Sequence, residues 1–262
     1  MNKDIKIIFV DIDNTIFVHP EKYFDIPSVE AIKQAQKNGI KICIATARPY
    51  HAAKEIGSFD IIKPDYIISG NGATIFDHDK LIYSDYFNDK DLKDFIKVVN
   101  KYNFNAEFIE EKTCFLINNY MRRINQYFKE FCQLVPSIGK YTNQKITKAL
   151  LFMPKKYDEK MLPLLPSSIV YYRFSDNLID VMPVQAYKGF GVKYLLNYLN
   201  IASENALAIG DERQDISMFN EVKYSVAMDN GPEEVKKTAT YVAKSIRESG
   251  VKDILIKLGV ID

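Results

Sequence analysis

The chain has no paired cysteines, no histidine motif, no surplus of charge and no long apolar run, and each gap narrows what it can be. Cys43, Cys114 and Cys132 stand far apart with no Cys-x-x-Cys among them. This argues against a disulfide framework or a thiolate zinc site and fits a reducing cytoplasm. His19, His51 and His78 lack a local partner of the His-Glu-x-x-His kind, so each reads as an ordinary surface or loop residue. The 35 basic and 34 acidic residues nearly cancel, at +1. No global field remains to hold nucleic acid or an anionic membrane, and neither is an expected partner. The short apolar run from Ile5 to Val10 is interrupted by Lys6 and is too brief for the core of a secretory leader. No later stretch approaches the roughly 18 apolar residues of a membrane span.

What is present is the material of a folded globular protein: 47% hydrophobic and 26% charged side chains over 262 residues. At roughly 150 residues per domain this is one large or two small domains. Strand and helix signals alternate from the start. Ile5 to Val10 and Ile40 to Ala45 are buried-strand runs, and Tyr66-Ile67-Ile68 is a third; helices opening at Pro27-Ser28 and near Pro49 separate them. This βαβαβ order predicts a parallel sheet covered on both faces. From Ala73 to about Pro183 the strands come in adjacent pairs with short turns, beginning with a hairpin of Thr74-Ile75-Phe76 and Leu81-Ile82-Tyr83. That pattern predicts an antiparallel α+β insertion distinct from the first sheet. After Pro183 the alternating rhythm returns through Tyr241 to Ala243. The division expected is a core from residues 1–80 and 185–262 with a cap at 81–184.

Four short stretches carry candidate chemistry. Asp11-Ile12-Asp13-Asn14-Thr15 puts two carboxylates where the first strand ends, the edge at which open parallel sheets bind ligands. Two such acids repel, and a cation or a shared proton relieves them. Magnesium, an oxygen-seeking ion that keeps water positions open, is the natural cation. A strand-ending turn is the plain alternative. A calcium loop fails because Ile16 and Lys22 stand where glycine and glutamate belong. Thr46-Ala47-Arg48 ends the next strand with a hydroxyl and amides able to bind a phosphoryl oxygen, or to cap a helix. Lys188-Gly189 opens a helix, and Gly210-Asp211-Glu212-Arg213-Gln214-Asp215 follows another strand. All four fall on one edge of the predicted sheet and can converge.

In order and spacing these stretches resemble the four motifs of the haloacid dehalogenase (HAD) superfamily, and the large insertion resembles the C2 cap of its Cof-type phosphatases. Two further stretches also look like this subfamily: Ile67 to Ala73 before the cap, and Val226 to Lys236. The resemblance implies an α/β protein with a Rossmann-like parallel-sheet core and an inserted α+β cap. It also implies a magnesium-dependent phosphatase acting on a small phosphorylated metabolite, as a monomer or homodimer. Asp11 would be the nucleophile and Asp13 the general acid and base. The metal would be held by Asp11, Asp13 and Asp211 with Asp215 in support. Thr46, Ala47, Lys188 and Gln214 would bind phosphate, and Arg48, Asn71, Arg173 and Asp180 are candidate substrate contacts. The chain departs from the family pattern at Asn14 and Ala47, where glycine is usual, at Gln214, where asparagine is usual, and in the turn from Lys244 to Gly250. Ala47 and Gln214 keep a catalytically weak or silent relative open as an alternative. A phospho-accepting regulatory module, which shares strand-end acids, a threonine and a lysine, is the other.

Overall fold

The computed structural model describes residues 4–19, 21–118 and 121–262; Met1 to Lys3, which precede the short N-terminal run, lie outside them. Its larger sheet has eight strands. In spatial order they are Tyr241–Ala243, Tyr224–Met228, Ala206–Gly210, Ile7–Val10, Lys41–Ala45, Tyr66–Ser69, Thr74–Asp77 and Lys80–Ser84. The first six run parallel, as the βαβ rhythm predicts. Alternation along Ile7–Val10 sends Ile8 and Val10 to one face and Ile7 and Phe9 to the other. On the first face the strand meets Val29 and Ile32 of the Ile26–Lys37 helix, together with Val251 and Leu255 of a C-terminal helix, Gly250–Lys257. On the second it meets Val192 and Leu195 of the Lys188–Leu199 helix. The strand is buried on both sides, which explains its unbroken apolar run.

The hairpin Thr74–Asp77/Lys80–Ser84 corrects the sequence reading. It extends the large sheet and does not begin the insertion, since Thr74–Asp77 pairs antiparallel with Tyr66–Ser69. The cause is the turn between them. Gly70, Asn71 and Gly72 all have positive φ (59°, 60° and 94°), a reversal that side chains other than glycine and asparagine resist. A Cβ on Gly72 would sit 2.4 Å from the Tyr187 carbonyl oxygen, where the chain returns from the insertion. The outgoing and returning segments therefore touch.

The second sheet has five antiparallel strands in the order Ile169–Ser175, Leu178–Pro183, Lys148–Phe152, Asn105–Ile109, Cys114–Ile117. One face packs on Leu92, Phe95 and Val99 of the Asp89–Lys101 helix, whose first turn is capped by the Asn88 side chain. The other face packs in part on Ile124 and Phe128 of the Met121–Glu130 helix. What that helix leaves uncovered faces the carboxyl edge of the large sheet. Among the described residues no helix is long and apolar enough to cross a membrane.

Candidate active site

Register brings three of the four motifs to one edge. Val10 pairs with Ile209 on one side and Ile44 on the other, so Asp11, Asp211 and Thr46 emerge from adjacent strand ends. The helix beginning at Lys188 supplies the fourth. Lys188 Nζ donates to Asp11 Oδ1 and to Asp215 Oδ1, each at 2.6 Å, and all three side chains are buried. The other oxygen of Asp215 accepts the backbone N–H groups of Asp211 and Glu212, at 2.9 Å each. With both oxygens engaged, Asp215 props up the Asp211 loop and Lys188.

Gly210 makes this possible. A Cβ there would lie 2.3 Å from Asp215 Oδ2 and 2.4 Å from its Cγ, and the carboxylate has nowhere to retreat. Gly210→Ala is expected to destabilise the fold by about 1–3 kcal/mol, as overpacking does. Chemical denaturation would measure it; an unchanged midpoint would show that the Asp215 bracket is dispensable.

Asp11, Asp211 and Asp215 each offer an oxygen within 4.8 Å of the other two, with Lys188 as the ammonium that pairs two of them. Three carboxylates against one ammonium leave a deficit of two positive charges. Burial, reinforced by repulsion from Asp215 and Asp13, outweighs the attraction of Lys188 and pushes the Asp11 carboxyl up to about 7. Burial and the neighbouring acids also raise Asp211 well above the usual carboxylate range. For Lys188 burial works against the charge, but Asp11 and Asp215 outweigh it and hold it protonated. Such a cluster is chemically suited to a hard divalent cation.

Asp13 is gripped by Arg48, whose Nε and Nη2 donate to its two oxygens at 2.7 Å each. Arg48 Nη1 also donates to the Phe131 carbonyl oxygen, at 2.9 Å, so three of its five donors are taken. It serves to position Asp13. Thr46 Oγ1 accepts the Arg48 N–H at 3.1 Å, leaving its own hydroxyl hydrogen free to point elsewhere. Asn14 has φ +54°, the left-handed region that asparagine tolerates, which accounts for its replacing glycine. Asn71 donates its N–H to the Thr46 carbonyl oxygen (3.1 Å) and its side chain to Met182 Sδ (3.6 Å); it braces the Thr46 turn from behind.

Above the acids lies a cavity of about 400 Å³, lined below by Asp11, Asp13, Ala47, Lys188 and Gln214 and above by Lys148, Tyr172, Phe174 and Asp180. Its size suits a small organic ligand. Gln214 Oε1 is buried without a hydrogen-bond partner among the described residues. Arg173 is a misplaced expectation. Tyr172 pairs with Asp180 across the strands and shares its face, so Arg173 points the opposite way. There it pairs with Asp158 and caps the carbonyls of Met153 and Ser175. The sequence reading also missed Lys148, which pairs with Asp180 at 2.8 Å and donates to the Ala47 carbonyl oxygen at 3.1 Å. Asn230, in the Val226 to Lys236 stretch to which the sequence assigns no role, donates to the Asn14 carbonyl oxygen at 2.9 Å and accepts the Ile246 N–H at 2.9 Å.

The haloacid dehalogenase-like hydrolase family profile matches residues 8–255. Phosphoglycolate phosphatase 1 of Saccharolobus solfataricus is 23% identical, with 97% of this chain and 96% of that protein aligned. The 5-amino-6-(5-phospho-D-ribitylamino)uracil phosphatase of Bacillus subtilis is 25% identical, over 94% and 96%. Among solved structures, a hypothetical protein of Geobacillus kaustophilus superposes with a TM-score of 0.90 at 25% identity, covering 98% of this chain and all of that one. A sugar phosphatase of HAD subclass IIB superposes at 0.83 with 26% identity, again over 98% and 100%. With the four motifs converging on one sheet edge and the profile running nearly end to end, the chain belongs to the haloacid dehalogenase-like hydrolases, and among them to the Cof-type phosphatases.

Proposed function

We propose that this protein hydrolyses phosphate monoesters of small metabolites with magnesium as cofactor, through an aspartyl-phosphate on Asp11. The observation that carries the reading is the buried set of Asp11, Asp211, Asp215 and Lys188, two positive charges short of neutral, beneath a cavity of ligand size. The donor set fits magnesium, being all oxygen. Asp11, Asp211 and the Asp13 backbone carbonyl would hold the ion, with Asp215 in support; when bound, it offsets the negative charge of the phosphoryl group.

The chain's own residues do the rest. Asp11 attacks phosphorus in line with the departing oxygen, splitting one hard displacement into two easier ones. Thr46 Oγ1, the Ala47 amide and Lys188 bind the phosphoryl oxygens, with Gln214 at the rim. Asp13 protonates the leaving oxygen, then takes a proton from the water that cleaves the intermediate, and Arg48 keeps it at the cavity mouth. Lys148, Tyr172 and Asp180 face the organic part of the ester and select it. The relatives support a shared phosphate ester and varied remainder, since the compounds in their names have little else in common.

Phosphate release from a small aryl phosphate should vanish on chelation and return with magnesium. A protein that binds magnesium and phosphate yet turns nothing over is the catalytically silent relative instead. A second readout needs no turnover. Because folding raises the Asp11 pKa, the metal-free protein holds that stabilisation at acid pH and loses it as pH rises through about 7. Magnesium competes with the proton, so its increase in Tm should be larger at pH 8 than at pH 5.5. An equal or smaller gain at pH 8 would remove Asp11 from the ligand set.

A further inference from the structure

Outside the phosphate cavity, the Tyr50–Glu55 helix of the core meets the second sheet across three side chains that the mechanism does not use. These are His51, Glu107 and Cys114. His51 Nε2 lies 3.3 Å from Glu107 Oε1, and one ligand atom from each of the three lies within 4.8 Å of the other two. Glu107 and Cys114 sit on neighbouring antiparallel strands. The register Glu107↔Leu116 and Ile109↔Cys114 makes them diagonal neighbours on one face, the face turned toward the core.

Glu107 is the residue that demands an explanation. It is 0% exposed, and its oxygens meet the Cys114 thiol and, at 3.3 Å, His51 Nε2 rather than a full set of donors. His51 Nδ1 is equally buried and unpartnered. A carboxylate so enclosed is costly unless a cation meets it. An imidazolium–carboxylate pair would occupy one oxygen and leave a thiol, held protonated by burial and by Glu107, as the other oxygen's weak donor.

We propose that His51 Nε2, Glu107 and Cys114 Sγ bind a zinc-class divalent cation that fastens the core helix to the second sheet. Nitrogen, oxygen and sulfur together are a borderline donor set that zinc accepts and that magnesium and calcium do not favour. Tetrahedral bonds of 2.0–2.3 Å place ligand atoms about 3.3–3.8 Å apart. The His51–Glu107 separation already has that value, and the third ligand needs only a small approach. Three protein ligands leave a fourth position for water. Sequence spacing gives no hint of it, because the helix that carries His51 lies far along the chain from the two neighbouring strands that carry Glu107 and Cys114.

The test is titration of the full-length protein with cobalt(II) and zinc(II) in excess magnesium, which keeps the aspartate cluster filled. One equivalent of cobalt should bind and give a thiolate-to-cobalt charge-transfer band. Cys114→Ser should abolish the band, and His51→Ala should weaken zinc binding roughly 100-fold or more. Circular dichroism would establish that both variants are folded, and zinc should raise the wild-type Tm more than theirs. No stoichiometric uptake by the wild type would overturn the site. So would uptake that persists unchanged in the His51→Ala/Cys114→Ser double variant. Neither readout depends on phosphatase activity, so the outcome stands apart from the proposed reaction.

Discussion

Asp11→Asn is expected to lower kcat by about 10³-fold or more, to near the detection limit, without unfolding the protein. The amide is isosteric and can still accept a hydrogen bond from Lys188 through its oxygen, but it cannot attack phosphorus. Its effect on stability should be neutral or favourable, because it removes from a crowded set of three a carboxylate that burial already makes reluctant to ionise. Rapid quenching with a labelled phosphate ester should trap phosphate on the wild type and none on the variant. Residual activity above roughly 1% of wild type would mean that phosphate is transferred directly to water, and the covalent route would have to be given up.

Lys188→Met should produce the opposite signature, a large loss of stability together with the loss of activity. Methionine fills the space but leaves Asp11 and Asp215 buried without their shared ammonium. Removing one partner of a buried pair commonly costs about 3–5 kcal/mol, a sizeable part of a domain's total. Two controls identify the cause. The deficit should shrink as pH falls from 8 toward 5, because Asp11 then takes up a proton and no longer needs the ammonium. Adding Asp11→Asn to Lys188→Met should recover part of the stability, a coupling that a double-mutant cycle reads directly in urea. A Lys188→Met protein as stable as wild type would show that solvent or another cation reaches these acids.

The parts of the site that the sequence announces are those tied to strand ends. Asp11, Thr46 and Asp211 each follow a run of buried residues, so a parallel sheet brings them together whatever the details. Lys188 has no such local signature; it gains meaning only from the other three motifs. The cap was legible as elements and much less so as faces. Arg173 and Asp180 both lie in strands that read as candidates, yet only the pairing of Tyr172 with Asp180 reveals that they point opposite ways. Lys148, inside an otherwise apolar strand, looks like an exposed charge until its partner appears 32 residues later in the chain. The hairpin after Gly72 joins the large sheet against the expectation from sequence, because strand signals carry no address. The three positive φ values that steer it are a property of the turn.

Two of the contacts that join the layers share an unusual economy. Lys148 reaches down to the Ala47 carbonyl oxygen, and Arg48 reaches up to that of Phe131. Each layer thus grips the other's main chain, an acceptor that every residue type provides. Mutational drift at Tyr172 can remodel what the cavity admits without touching either grip, whereas Phe174 packs edge-on against Phe131 and is tied to one of them. Descendants of such a scaffold can diverge in diet while inheriting the same closure, and a laboratory search for new specificities would do well to randomise Tyr172 first and leave Lys148 and Arg48 alone.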